Sequence, residues 1–257
     1  MFKSLYRLHQ NEGRIQPEAV LNFKGVLVMI LIFLAEQLGA DGIAILADRM
    51  GYTVGLMELN LMVNAAAMVL LLLFFGRFLL ESLKNFFREF KAIYIWLPIA
   101  CYFCSTLANI IVNLILGMVR GKLQATSNNE LVLDMLSKNP LPLVLLTVFF
   151  APIIEEAVFR AAICRPLTAH RNWFVKTLGF GLSVLLFSLM HVLPYILAAA
   201  DTASALDELL SIVVYIPMAI GLTLCAVLGK NYWCSVICHM LTNGMAVGLA
   251  LLLGQQS

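Results

Sequence analysis

Seven apolar stretches, each about as long as a bilayer is thick, divide this chain and constrain its fold more than any other feature. They cover about residues 20–40, 56–76, 92–118, 141–164, 174–199, 209–228 and 234–253. A segment crossing hydrocarbon must satisfy its own N–H and C=O groups, and an isolated run of about 20 residues does so only as an α-helix. The charge content agrees: 12% of residues are charged and 61% are hydrophobic, whereas a soluble domain carries roughly 25% charge. The sequence therefore predicts an all-α polytopic membrane protein, a bundle of seven to eight transmembrane helices around an intramembrane site. Residues 1–19 are polar and read as a short cytoplasmic arm, partly helical along the membrane surface. Residues 20–257 read as a single transmembrane domain. Nothing points to a nucleic-acid partner, and membrane lipid is the obligatory neighbour.

The loops carry an orientation signal. With the first residues in the cytoplasm, twelve Lys and Arg fall in or beside cytoplasmic segments and four in external ones, with Arg160 set aside as intramembrane. This bias predicts an internal N-terminus and an external C-terminus. A split of the fifth stretch at Pro194 would add a short eighth helix. Residues 77–91 mix Arg77, Lys84, Arg88 and Lys91 with several Phe and read as an interfacial amphipathic segment. The six Cys lie in or beside apolar runs. No second pair completes a metal pattern with Cys101 and Cys104, so they read as packing residues.

Charge inside the fourth stretch is the exception to all of this. Residues 143–154 carry none, and then Glu155, Glu156 and Arg160 follow within six positions. Ionisable residues at membrane depth are expensive and mark sites. Glu156 and Arg160 are four apart, share a helix face and can pair. Glu155 points about 100° away from Glu156, toward another neighbour. His191 lies in the fifth stretch, and His239 and Asn243 share a face of the seventh. If the turn after the fourth helix centres near Trp173, Glu155 and His191 are each eighteen residues from it, at similar depth. A carboxylate and an imidazole at one depth can activate water, and two further donors can steady an oxyanion. The same residues have blander uses. The Glu/Arg pair can lock helices together, and His239 and Asn243 can be interhelical hydrogen-bond glue. Glu36, Asn64, Asn109 and Asn113 read as glue or channel lining, and Pro152 as a kink before the charged triplet.

Glu155-Glu156-x-x-x-Arg160, Phe187-x-x-x-His191 and His239-x-x-x-Asn243, in this order on three helices, resemble the three motifs of the CAAX protease and bacteriocin-processing (Abi) family of glutamate-type intramembrane proteases. The resemblance covers about residues 140–250, departs at Ala161, where many members have Gly, and fades over residues 1–100. It implies an intramembrane endopeptidase acting on a small membrane-associated peptide or lipid-modified protein. Glu155 would be the base that activates water, assisted by His191. His239 and Asn243 would form the oxyanion hole, with Glu156 and Arg160 in support. The context from Ala151 to Arg160 also resembles bacterial members closely, which implies a multi-pass protein of a bacterial plasma membrane with no CAAX substrate of its own. Their roles in immunity and peptide maturation leave room for a non-catalytic alternative, a scaffold or bacteriocin self-immunity protein bound to a sensor kinase or a peptide exporter.

No metal or other cofactor is expected, because the His-Glu-x-x-His helix of zincins is missing. A zinc-dependent variant would have Glu155, His191 and His239 as its ligands. Other membrane proteases fit poorly. Gly181-Leu182-Ser183 is followed by Val184, which breaks the rhomboid serine motif, and no span holds the two Asp of a presenilin-type enzyme. A transporter would show a repeat or paired broken helices, and neither is visible.

Overall fold

A computed structural model describes residues 6–7, 10–11, 14–15, 20–88 and 90–254. Four two-residue strands lie near the start: β1 (Tyr6–Arg7), β2 (Gln10–Asn11), β3 (Arg14–Ile15) and β4 (Val20–Leu21). β1 pairs antiparallel with β4, and β2 with β3. The described part of the arm is thus extended where a partly helical course was expected. The rest of residues 1–19 lies outside the described residues.

Ten helices follow among the described residues: α1 (Phe23–Arg49), α2 (Leu56–Arg88), α3 (Ile93–Arg120), α4 (Ser127–Lys138), α5 (Pro140–Thr168), α6 (Trp173–Met190), α7 (Leu193–Ala198), α8 (Thr202–Leu210), α9 (Ile212–Gly229) and α10 (Tyr232–Gly254). α8 and α9 run on as one span, Thr202–Gly229, so seven helical spans are long and apolar enough to cross a membrane. If all seven cross, the two ends of the bundle lie on opposite sides, as the loop charges predict. Polar caps begin several helices: the side chains of Asn22, Thr126, Asn172 and Asp201 each accept a backbone N–H of the following first turn. Gly121, at φ +71°, closes α3 in the left-handed conformation a Cβ disfavours.

Three expected boundaries shift. α2 does not stop at residue 76 but continues to Arg88, so the basic, Phe-rich stretch belongs to one helix of 33 residues. At 1.5 Å per residue it is about 50 Å long and outruns a hydrocarbon core of about 30 Å. Most of the polar stretch 119–140 is also helical, as α4. The fifth span breaks at His191 and Val192, not at Pro194. Pro194 sits in the first turn of α7, where its missing N–H costs nothing. α7 has six residues and is too short to be an eighth span.

α9 packs along α3, α6 and α10, while α1 lies against α2 and the second half of α5. The core where these meet contains Phe75, Ala157, Phe159, Phe187, Leu222 and Val236. Leucines such as Leu38, Leu73 and Leu249 remain exposed, as lipid-facing residues do. The turn between α9 and α10 is fixed by Asn231, whose side chain donates to Ser82 O (3.0 Å) and accepts from Trp233 N (2.9 Å). A Cβ on Gly229 would meet Cys234 Sγ at 2.7 Å, so α10 can turn back this sharply only over a glycine.

Candidate active site

α5 is not a uniform α-helix. Residues Leu145–Phe150 and Ala157–Cys164 wind as π-helix on either side of Ala151–Glu156, an irregularity frequent at functional sites. Pro152 explains what the first π segment does. The Ala151 N–H bonds Leu146 O, five residues back, so Thr147 O loses its ordinary α-helical donor. The next π donor would be the N–H of residue 152, which proline lacks. Thr147 O is therefore left free, and Asn243 Nδ2 donates to it at 2.8 Å from α10. Expected simply as a kink, Pro152 instead opens a socket for Asn243. The second π segment is also served by side chains: Ser183 Oγ donates to Phe159 O at 2.9 Å. Each of these bonds satisfies a backbone carbonyl inside the bundle, part-buried at Thr147 and buried at Phe159.

The charged residues form a chain across the bundle. Arg160 Nη1 lies 3.1 Å from Glu156 Oε1, an ion pair between fully buried side chains. The angle is outside hydrogen-bond geometry, and Arg160 Nη2 donates to Ala219 O at 3.3 Å. His239 Nδ1 is 3.0 Å from the same Glu156 oxygen, and its Nε2 is 4.0 Å from Glu155 Oε2. A carboxylate accepts, so Nδ1 of His239 is the donor, and the other ring nitrogen faces Glu155. Glu156 thus holds Arg160, as the four-residue spacing predicts, and also holds His239, which the spacing does not reveal. Glu155 Oε2 is buried without a hydrogen-bond partner.

Phe187 is the common floor, 0% exposed. Its ring meets Phe159 edge-on at 5.4 Å and His239 at 5.7 Å, and the Arg160 guanidinium lies 4.4 Å over its face. These contacts account for the Phe in Phe187-x-x-x-His191: it seats both histidines. Because Phe159 meets Phe187 on antiparallel helices, one turn beyond each brings Glu155 and His191 to the same height. His191 caps the end of α6, with Nδ1 2.8 Å from Phe187 O. Nδ1 therefore donates to that carbonyl, and Nε2 is left as a proton acceptor in the neutral ring. The His191 ring lies between Phe187, at 4.6 Å, and Tyr215, stacked at 4.7 Å.

Glu36 belongs to this neighbourhood and was read from sequence only as glue or lining. Phe33 meets Phe159 edge-on at 5.4 Å. One turn further along α1, Glu36 comes level with Glu155, and its charge acts on Glu155. Gln37 donates to Glu36 at 2.7 Å, and Asn64 of α2 lies beside it. The only sequence signal was a carboxylate in an apolar run, 119 positions from its neighbour. Asn109, also read as glue, donates to Val214 O at 2.6 Å and ties α3 to α9.

Glu155, His191 and His239, the ligand set of a zinc-dependent variant, do not fit a metal: no group of three or more His, Cys, Asp or Glu among the described residues is arranged to hold one. Glu155, Glu156, Arg160, His191 and His239 converge on Phe187 or on each other, and Asn243 sits one turn beyond His239 on α10. An acceptor-capable carboxylate, two imidazoles of defined tautomer and an amide donor, set in a partly buried site, can move a proton and stabilise a developing negative charge.

The family model described as Rce1-like, type II CAAX prenyl endopeptidase Rce1-like, matches residues 137–245. That segment contains all six of these residues and includes, of α1 to α4, only the last two residues of α4. No curated protein and no solved structure matches the chain.

Proposed function

Residues 137–245 belong to the CAAX protease family, membrane-embedded proteases that act on membrane-associated or lipidated peptides, and on that premise we propose that this chain hydrolyses a peptide bond in a small membrane-associated peptide or protein by water activated at Glu155. The observation that carries the reading is the chain Glu155–His239–Glu156–Arg160, in which the Oε2 atom of Glu155 is buried without a hydrogen-bond partner.

The chemistry needs no covalent enzyme intermediate. Water bridges polar groups separated by more than about 3.5 Å, and the 4.0 Å between Glu155 Oε2 and His239 Nε2 has that scale. Glu155 takes one proton as the water oxygen attacks the carbonyl carbon. His191, with Nε2 free to accept, orients the same water from equal height. The carbonyl oxygen becomes an oxyanion. The second N–H of Asn243 is the donor for it, while His239, held as the Nδ1–H tautomer, turns its Nε2 toward Glu155. Glu155 then returns its proton to the leaving nitrogen, the C–N bond breaks, and a carboxylic acid and an amine leave. Glu156 and Arg160 hold His239 in one tautomer, and Thr147 O holds Asn243. Preorganised donors in a low-dielectric site need no reorganisation at the moment of reaction.

The test is cleavage of membrane-anchored peptides by purified protein in liposomes, with wild type and Glu155→Gln side by side, each with and without a strong chelator. Cleavage by wild type alone, unaffected by chelation, is the expected result. Equal cleavage by both proteins rejects Glu155 as the base. A folded wild type that cleaves nothing, yet whose biological effect survives Glu155→Gln, identifies the scaffold alternative. Loss on chelation with recovery on adding zinc would assign Glu155 and the histidines to a metal instead.

A further inference from the structure

His191 stands where α6 ends, and a ring at a helix terminus lacks a following turn to hold it. Phe187 of α6 holds it through its carbonyl and its ring, and the rest of its support comes from outside that helix. One face rests on Phe187, and the other is covered by Tyr215 at 4.7 Å with the rings 27° from parallel. Tyr215 is itself held. Its hydroxyl shares a 2.6 Å hydrogen bond with Thr126 Oγ1, and the two residues are 7% and 3% exposed. Thr126 is the N-cap of α4, accepting from Asn129 N at 3.3 Å.

The segment that carries Thr126 is fastened to the same part of the chain that carries Tyr215. Arg120 Nε donates to Asp207 Oδ1 at 2.6 Å, and its Nη2 donates to Asp207 O at 2.6 Å and to Ser211 Oγ at 2.8 Å. Gln124 donates to the other Asp207 oxygen at 3.0 Å, and Ser127 donates to Glu208. The Arg120 side chain is 6% exposed and that of Asp207 41%, so these charge-assisted bonds are shielded on the arginine side. Residues 120–127 thus form a clamp whose innermost member, Thr126, sets the Tyr215 ring. The clamp lies outside the segment matched by the family model.

We infer that Tyr215, oriented by Thr126, is a positioning residue for His191, and that residues 120–127 fix the geometry of the site from outside the family segment. The inference rests on His191 orienting the attacking water, as in the function proposed above. A Tyr–Thr hydroxyl pair replaced on both sides by apolar groups of similar shape costs little beyond the N-cap that Thr126 gives α4, which Thr126→Ser retains, so a merely structural pair would leave turnover alone in Tyr215→Phe. A ring displaced by a fraction of an ångström would not, because turnover is sensitive to misplacement on that scale.

The experiment measures kcat and KM in liposomes for Thr126→Val, Thr126→Ser, Tyr215→Phe and the double variant Thr126→Val/Tyr215→Phe. Thr126→Val and Tyr215→Phe should each lower kcat about tenfold with KM unchanged. The double variant should lose no more than the worse single, since both break one bond, and Thr126→Ser should restore turnover. Wild-type kcat in both single variants, losses that multiply in the double, or failure of Thr126→Ser to recover would each overturn the inference. A second measurement is independent of activity: the His191 ring resonance in histidine-labelled protein, assigned by its loss in His191→Gln. It should move in Thr126→Val and Tyr215→Phe and return in Thr126→Ser; a resonance that stays in place overturns the positioning role. Should wild type cleave nothing, the proposed function fails, while this resonance still decides the coupling of Thr126 to His191.

Discussion

The two halves of this molecule divide the work unequally. From α5 to α10 every charged or imidazole group of the site is present: Glu155, Glu156, Arg160, His191 and His239. From α1 to α4 come groups that press on it from behind: Phe33 against Phe159, Glu36 acting on Glu155, Asn109 on Val214 O and Thr126 on Tyr215. The family match covers the first set and omits the second. The difference teaches that proton transfer makes narrow demands on residue type, whereas the wall behind it need only supply shape, charge and hydrogen bonds. Many sequences can meet the second demand.

Substitutions can break or sharpen that contrast. The largest effect is expected for Glu155→Gln, which keeps the shape, removes the base and should abolish cleavage while a folded protein persists, read by peptide turnover beside a thermal melt. Arg160→Met comes next. It removes the cation paired with the buried Glu156 and leaves that carboxylate the His239 Nδ1–H alone, and removing one partner of a buried pair costs about 3–5 kcal/mol; unfolding in mixed detergent micelles measures it. Asn243→Ala should cost about 2.7–4 kcal/mol of transition-state stabilisation if its free N–H serves the oxyanion, seen in kcat at constant KM. A purely structural Asn243 would show in the melt and leave kcat alone. Glu36→Gln preserves the shape beside Asn64 and removes a charge from the back wall, so kcat should change by less than about tenfold, or about 1.4 kcal/mol. A loss as complete as that of Glu155→Gln would move Glu36 into the catalytic set and dissolve the division drawn between the halves. Cys164→Ala, smallest of all, should leave turnover intact, because the thiol takes no part in the proposed chemistry.

Seven spans were legible in the sequence because hydrocarbon leaves a crossing segment one solution, and helical length follows from apolar length. The pairing of Glu156 with Arg160 was equally legible, since four residues make one helical turn. So was the matching height of Glu155 and His191, which needed only the count of residues on each side of a turn. The extension of α2 to Arg88 was not legible: an amphipathic, basic stretch reads the same whether it lies on a membrane or continues a helix out of it. The π winding of α5 was also hidden. It depends on whether a side chain such as Asn243 arrives to take the carbonyl that Pro152 strands, and that residue lies 91 positions away. Glu36, Tyr215 and Thr126 carried no local pattern tying them to the site. Periodicity along one helix reports which side chains share a face, and so it determined the spans, the ion pair and the depth of the site. What faces that surface is decided by packing between helices, and packing alone brought His239 to Glu156, Glu36 to Glu155 and Tyr215 over His191.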